Sequence, residues 1–326
     1  DSLTGFAEAS YGRVEGRNNQ WETVQNTAQN CIRPDNAFLA QLSPQAQQAI
    51  LDNNNNSVFA TFPNELCGDP TGGALPFLQG TVISKNWNGQ VDQNVITDTE
   101  VVRAVVGAKG RLGSKWSWDA YYQYGRTVRD QIGSGYRTNW RYTMAVDAII
   151  DPRPDSPTFG QAICRSDIFG APAGADPSLA VGCKPLNIFG TSGASAEALA
   201  YAFGALTEHN VIRQDVVAAT ISGEAWRGWG AGPLSAAFGV EWRKDSLTND
   251  AGDLPFAQRT DFSLQYGDSF AGKTEVYEGF AEFEMPLLSG KPLADMWTAN
   301  AAVRTARYKT TGGLGTIGGT NEQHIT

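Results

Sequence analysis

The chain has 326 residues, a formal net charge of −9 and a pI near 4.8, a balance that argues against nucleic acid as a partner. Charged residues make up 18%, hydrophobic residues 41%, and no run of about eighteen apolar residues occurs, so no helix is expected to cross a bilayer.

Leu3 to Val14 alternates weakly between small or apolar and polar residues and reads as a first strand. A long connection over about 15–97 follows, holding Cys31, Cys67 and a helical pattern at 36–51 with Phe38, Leu39, Leu42, Ala46 and Ile50 on one face. Its run Asp52-Asn53-Asn54-Asn55-Asn56-Ser57 reads as a polar loop tip, and the formal glycosylation triplet within it carries no weight. From Glu100 to Leu112 one parity is apolar beyond Glu100 itself, with Val102, Ala104, Val106, Ala108 and Leu112. The other parity carries Arg103, Lys109 and Arg111. Gly113-Ser114-Lys115 then forms a tight turn into Trp116 to Asp130, where Trp116, Trp118, Ala120, Tyr122 and Tyr124 oppose Ser117, Asp119, Tyr121 and Gln123.

A second long connection covers about 131–210. It holds Arg137, Trp140 and Arg141, residues suited to touching a sugar or a chelate, then Cys164 and Cys183, and a helical pattern at 195–206. Asp215 to Trp229 is a fourth strand, turning through Gly230-Ala231-Gly232-Pro233 into Leu234 to Arg243, where Phe238, Val240 and Trp242 oppose Glu241 and Arg243. After a loop at about 247–273, Glu275 to Leu287 sets Tyr277, Ala281, Phe283, Met285 and Leu287 against Glu278, Glu282 and Glu284, and Trp297 to Tyr308 contributes Arg304. The chain then ends in what reads as polar loop sequence.

Seven two-faced strands joined alternately by very short and very long connections describe an all-β fold, a portion of an antiparallel transmembrane β-barrel with long loops at one end. Trp116, Trp118, Trp226, Trp229 and Trp297 lie near the short connections and make one aromatic girdle, while Trp242 and Tyr277 belong to the opposite one. A secreted carbohydrate-binding β-sandwich, with core tryptophans and disulfide-braced loops, is the soluble alternative. In the barrel reading Arg103, Lys109, Glu241, Arg243, Glu278, Glu282 and Arg304 face the lumen, where hydrogen bonds to water or to a plug are their plainer role. The helical patterns in the loops are either a lid over the barrel mouth or simply loop packing.

Cysteine usage places the loops in an oxidising compartment. Pairing Cys31 with Cys67 and Cys164 with Cys183 keeps each bridge within one long loop. Metal binding and catalysis find few parts: there are two histidines, no Gly-x-Ser-x-Gly and no His-Glu-x-x-His. Gly313-Leu314-Gly315-Thr316-Ile317-Gly318 has nucleotide-loop spacing but no helical pattern behind it, so it reads as a mobile loop tip. The spaced carboxylates Glu278, Glu282 and Glu284 could mimic a glycosidase pair, yet period-two acids are what a wet wall carries. No catalytic residue, cofactor or metal ligand is assigned.

The strings Trp118-Asp119-Ala120-Tyr121-Tyr122-Gln123-Tyr124-Gly125-Arg126-Thr127, Gly182-Cys183-Lys184-Pro185-Leu186-Asn187-Ile188-Phe189-Gly190, Ile221-Ser222-Gly223-Glu224, Gly239-Val240-Glu241-Trp242-Arg243 and Val276-Tyr277-Glu278-Gly279-Phe280 resemble the barrel of TonB-dependent outer-membrane receptors of Caulobacter and Sphingomonas type. The resemblance implies an integral outer-membrane protein with extracellular loops, a twenty-two-strand barrel and an N-terminal plug. It also implies import of a scarce iron chelate, cobalamin or oligosaccharide with energy from the TonB complex. Residues 1–326 show no plug-like stretch and no TonB-box candidate, so they read as an internal piece whose partners are outer-membrane lipids, the solute, and the plug and remaining strands of the same barrel. A non-energised channel or a surface structural barrel is the competing expectation.

Overall fold

The computed structural model describes residues 3–19, 24–25, 31–56, 81–82, 85–87, 89–172, 174–191, 193–263, 268–292, 294–314 and 317–325. Eight long antiparallel strands form one sheet. We label them β1 (Leu3–Asn19), β2 (Asn94–Leu112), β3 (Trp116–Arg137), β4 (Phe203–Trp226), β5 (Leu234–Asp250), β6 (Phe270–Lys291), β7 (Ala294–Leu314) and β8 (Ile317–Ile325). Their order in the sheet is their order in the chain, and every neighbouring pair is antiparallel. Among the described residues no helix is long and apolar enough to cross a membrane, which says nothing about strands.

The seven strands expected from alternation are all present, and most are longer than expected. The connections therefore shrink to 20–93, 138–202 and 251–269. Beyond the apolar stretches both strand faces are polar, as in Thr97-Asp98-Thr99 against Arg129-Asp130-Gln131, so the pattern fades while backbone pairing continues. One strand was missed. β8 pairs with β7 through Leu314↔Ile317, so residues 317–325 are a strand, and Gly312, Gly313, Gly318 and Gly319 lie in paired strands rather than in a loose loop. Gly318 and Gly319 give no side-chain period there, which left the strand unreadable. Gly315 and Thr316 lie outside the described residues.

The short connections follow their turn chemistry. Gly113 takes φ +63° between β2 and β3. Between β4 and β5, Gly228 takes φ +74°, and a Cβ there would run into the Gly232 carbonyl oxygen. Any side chain at Gly228 would thus be both strained and obstructed.

The large sheet is not where the chain buries its core. The structure exposes 19362 Å², against about 13,000 Å² expected for a compact monomer of its mass. Large apolar side chains on one face are part of that surface: Val106, Tyr122, Val217, Val240, Tyr277 and Val303 are all exposed. The dense packing sits in the connections. Helices α1 (Pro44–Asn56), α2 (Trp140–Val146), α3 (Ser166–Phe169) and α4 (Ala196–Ala202) belong to the two long connections, and α5 (Phe256–Thr260) to the third. Ile32, Leu39 and Trp87 from the first connection pack with Tyr142, Val146, Leu186, Tyr201 and Ala202 from the second into one buried cluster. The helical pattern at 36–51 becomes a 3₁₀ turn at Leu39–Gln41 followed by α1, and the asparagines 53–56 are the end of α1 rather than a loop tip. The pattern at 195–206 stops at Ala202, and Phe203 and Leu206 reach the interior from β4.

Polar links join the two long connections. Arg165 donates to Asp147 at 3.1 Å and to Asp35 at 2.6 Å, and Arg33 lies 3.3 Å from Asp147. Asn36 donates to the Val146 carbonyl at 2.8 Å, and Asn187 to the Gln41 side chain at 2.9 Å. Cys164 and Cys183 form a disulfide with Cα atoms 6.1 Å apart. The expected Cys31–Cys67 bridge involves Cys67, which lies outside the described residues.

Candidate functional site

Cross-strand partners share a sheet face, so the pairing register assigns every strand residue to a side. One row runs Ala7, Val106, Tyr122, Val217, Trp242 and Tyr277. The rows below it run Gly5, Ala108, Ala120, Ala219, Val240 and Gly279, then Leu3, Gly110, Trp118, Ile221, Phe238 and Ala281. This face is an unbroken apolar band. Tyr122, Trp242 and Tyr277 edge it toward the long connections, and Trp116, Trp226, Trp229 and Trp297 toward the short ones. Trp226 and Trp229 meet edge to face at 5.2 Å. From Tyr277 to Leu287 is about 33 Å along β6, or about 25 Å in height at a barrel strand's usual tilt.

All seven charged strand residues singled out from the sequence fall on the opposite face. Arg103 shares a row with Gly125, Gln214, Asp245 and Thr274; Glu241 and Glu278 are direct partners; Lys109 and Arg304 belong to one row, and Arg243 and Glu282 to others of the same face. Several join into a lateral ladder. Arg103 lies 3.6 Å from Glu8 and donates to Gln123 at 3.0 and 2.7 Å; Gln123 donates to Gln214 at 2.9 Å; Gln214 donates to Asp245 at 2.9 Å. Arg243 continues it, 3.4 Å from Asp245 and 3.5 Å from Glu241. Next to it Arg304 pairs with Glu278 at 2.5 Å. The like charges of Glu241 and Glu278 face each other across the β5–β6 pair, and the two arginines offset their repulsion.

Sequence reading missed the neutral rungs Gln123 and Gln214 because it looked for charge, although they lie on the same face as Arg103. Two aromatics on this face have a packing role: the rings of Phe6 and Phe280 cover the bare backbone of Gly107 and Gly239 across the strand pair.

At the loop end Arg137, Trp140 and Arg141 are close together, but not as an open contact surface. Arg137 is only 5% exposed and its guanidinium lies 5.3 Å from the Tyr142 ring, so it is a core residue of the loop layer rather than a free cation. Burial pushes it below the usual arginine range. Arg141 stacks on Tyr201 at 4.5 Å. The backbone amides of Trp140 and Arg141 donate to Asp261 at 2.7 and 3.2 Å, so a carboxylate from the third connection caps α2. Trp87, Tyr142 and Phe203 meet edge to face around this point at 5.5–6.2 Å. The loops therefore form one packed layer at the end of the sheet opposite the short turns. No family model, curated protein or solved structure matches the chain.

Proposed function

We propose that this chain is part of the β-barrel of a TonB-dependent outer-membrane receptor that imports a scarce solute. The observation that carries this reading is the sheet itself: one continuous apolar band about 25 Å tall between two aromatic edges, backed by a charged and hydrogen-bonded face. A soluble sheet of this size would bury such a band, and here none of the described residues covers it. In this reading the apolar face meets lipid, the ladder from Glu8 to Glu241 lines the lumen beside the plug, and the packed loops are extracellular. β1 and β8 would pair with further strands, because unpaired edges in hydrocarbon cost several kcal/mol per group.

The supporting mechanism is modest. A polar wall with alternating cations, amides and carboxylates can hand hydrogen bonds from plug to solute without leaving a group unpaired. The five sequence strings resembling this receptor class supply the energised-import part of the proposal.

The test is to extract the native polypeptide. A barrel requires detergent and migrates differently before and after heating, and uptake by an energised receptor stops when the proton gradient is collapsed. Release by alkaline carbonate would sink the barrel, and uptake indifferent to the gradient would leave a passive channel.

A further inference from the structure

Near the loop end of the sheet, pairing sets Glu15, Asp98, Asp130, His209 and Asp250 side by side across β1 to β5. His209 stands eight residues from Val217, about 27 Å along β4 from the Tyr122–Trp242–Tyr277 row, and its ring and the Asp130 carboxylate are half-exposed. Like charges directly opposite one another repel, and this row holds four carboxylates. Two side chains offset the repulsion. Arg13 donates to Asp98 at 3.1 and 2.6 Å, lies 2.9 Å from Glu15 and reaches Glu100 at 3.9 Å. His209 sits between Asp130 and Asp250, with Nδ1 2.6 Å from the Asp130 carboxylate. A guanidinium keeps its charge at every ordinary pH, whereas an imidazole does not.

His209 also marks a junction. Opposite it, Asp250 ends β5, and the third connection leaves the sheet there. Gly252 takes φ +77° and its amide donates to the Asp250 carboxylate at 3.0 Å. The two ends of the connection are tied at this neck, Ala251 donating to the Ser269 hydroxyl at 2.9 Å and Asn249 to the Asp268 carbonyl at 3.1 Å. Further along, the same connection supplies the Asp261 cap of α2 and packs Phe262 against Tyr136 and Leu206.

We propose that His209 is a pH-dependent clamp that fastens the neck of the third connection to the sheet. Protonated, the ring is a cation between Asp130 and Asp250 and does on β4 what Arg13 does on β1. Neutral, it can still hydrogen-bond Asp130, but the row is left with four carboxylates and Arg13 alone. The clamp is therefore closed in mild acid and released as pH rises through the range in which an imidazole gives up its proton. The charged groups facing the ring are those of its own row, Arg13 and Glu100 in the row below and Arg17 in the row above; its β4 neighbours on that face, Thr207 and Val211, carry none. The other histidine of the chain, His324, lies on β8, four strands away. The inference uses only the pairing register and the neck contacts, and it stands whether or not the apolar band lies in lipid.

The experiment is hydrogen exchange on the full-length polypeptide in neutral detergent at about pH 5.5 and about pH 8, with rates corrected for the intrinsic pH dependence of exchange. Amides at 207–210, 248–252 and 268–270 should be protected about two- to fivefold more in acid, the size expected of exposed ion pairs. H209Q should exchange at both pH values as the unsubstituted protein does in alkali, and H209K, with a permanent charge, as it does in acid. D261N should leave the neck difference in place, which separates the clamp from the buried aspartate further along the connection. Unchanged protection at 216–222 shows that a variant keeps the sheet; if H209Q loses it, D130N/D250N, which retains the imidazole, takes its place and should remove the difference. A neck with the same corrected protection at both pH values, or a difference that survives in H209Q or in D130N/D250N, would overturn the clamp.

Discussion

Ala237 and Ala281 allow the sidedness of the sheet to be tested with one chemical change. Both are interior sheet positions at nearly the same height: Ala281 pairs with Phe238 and Val303 on the apolar face, and Ala237 pairs with Ser222 and Glu282 on the polar face. Ala281→Arg puts a guanidinium near the middle of the band, at a cost of about 2–4 kcal/mol if that face lies in lipid, or roughly 30- to 700-fold in the folded-to-unfolded ratio. Ala237→Arg puts the same group opposite Glu282, which has no side-chain partner among the described residues, and is worth about 0.2–1 kcal/mol of stabilisation. Strand propensity and side-chain entropy change equally in the two variants and drop out of the difference. Urea titration of folding into phosphatidylcholine vesicles, read by the heat-modifiable band, measures both. If the variants differ by less than about 0.5 kcal/mol, the apolar face is not in hydrocarbon and the membrane reading is wrong.

Three further outcomes concern the loops. Cys164→Ser with Cys183→Ser opens a link of sequence separation 19 and should cost the loop layer about 3 kcal/mol, seen as faster hydrogen exchange across 138–202 with the sheet unchanged. Arg165→Ala removes the donor shared by Asp147 and Asp35, and the docking of the first connection on the second should weaken by about 2 kcal/mol, giving protease cleavage within 31–56. Two buried aspartates should respond to pH with opposite sign. Arg153, with Ser156 and Thr158, holds the Asp151 carboxyl far below its usual range, so its contribution is complete above the ordinary aspartate pKa and is lost on acidification; Asp151→Asn should weaken the loop layer at pH 7 and matter less in acid. Burial holds the Asp261 carboxyl above its usual range, so the unfolded chain releases that proton first and stability falls as pH rises from the ordinary value to the raised one; Asp261→Asn should flatten that slope in loop hydrogen exchange.

The strands were legible because a sheet with one apolar face writes a period of two into the chain, and the seven charged positions share a face for the same reason. Strand ends were not, since at Thr97–Thr99 and Arg129–Gln131 neither face is apolar and only backbone pairing remains. The loop layer was still less visible. Trp87, Tyr142 and Phe203 come from three separate segments, and the cap on α2 is supplied by Asp261, about 120 residues further along the chain, so neither leaves a local signature. Arg137 looked like a contact residue because an arginine beside a tryptophan in a long loop suits a solute. Its burial over Tyr142 depends on how the connections meet, which composition does not encode.

The location of the core also decides how the molecule should fail. The loop layer buries Trp87, Tyr142, Leu186 and their neighbours by itself and braces them with a disulfide and the Arg165 links, so its order depends on interactions internal to the chain. The sheet pairs each strand with its neighbours, leaves the outer edges of β1 and β8 open, and carries an apolar band that none of the described residues covers; backbone hydrogen bonds alone contribute little net stability in water. Removing detergent therefore attacks the band first, through association of exposed Val240, Tyr277 and Val303 between copies, while the loops keep their exchange protection. Reducing agent attacks in the reverse order, loosening 138–202 while β1–β7 stay paired. Observing both orders in one preparation would show that the two layers are stabilised independently, and a single cooperative transition under either treatment would show that they are not.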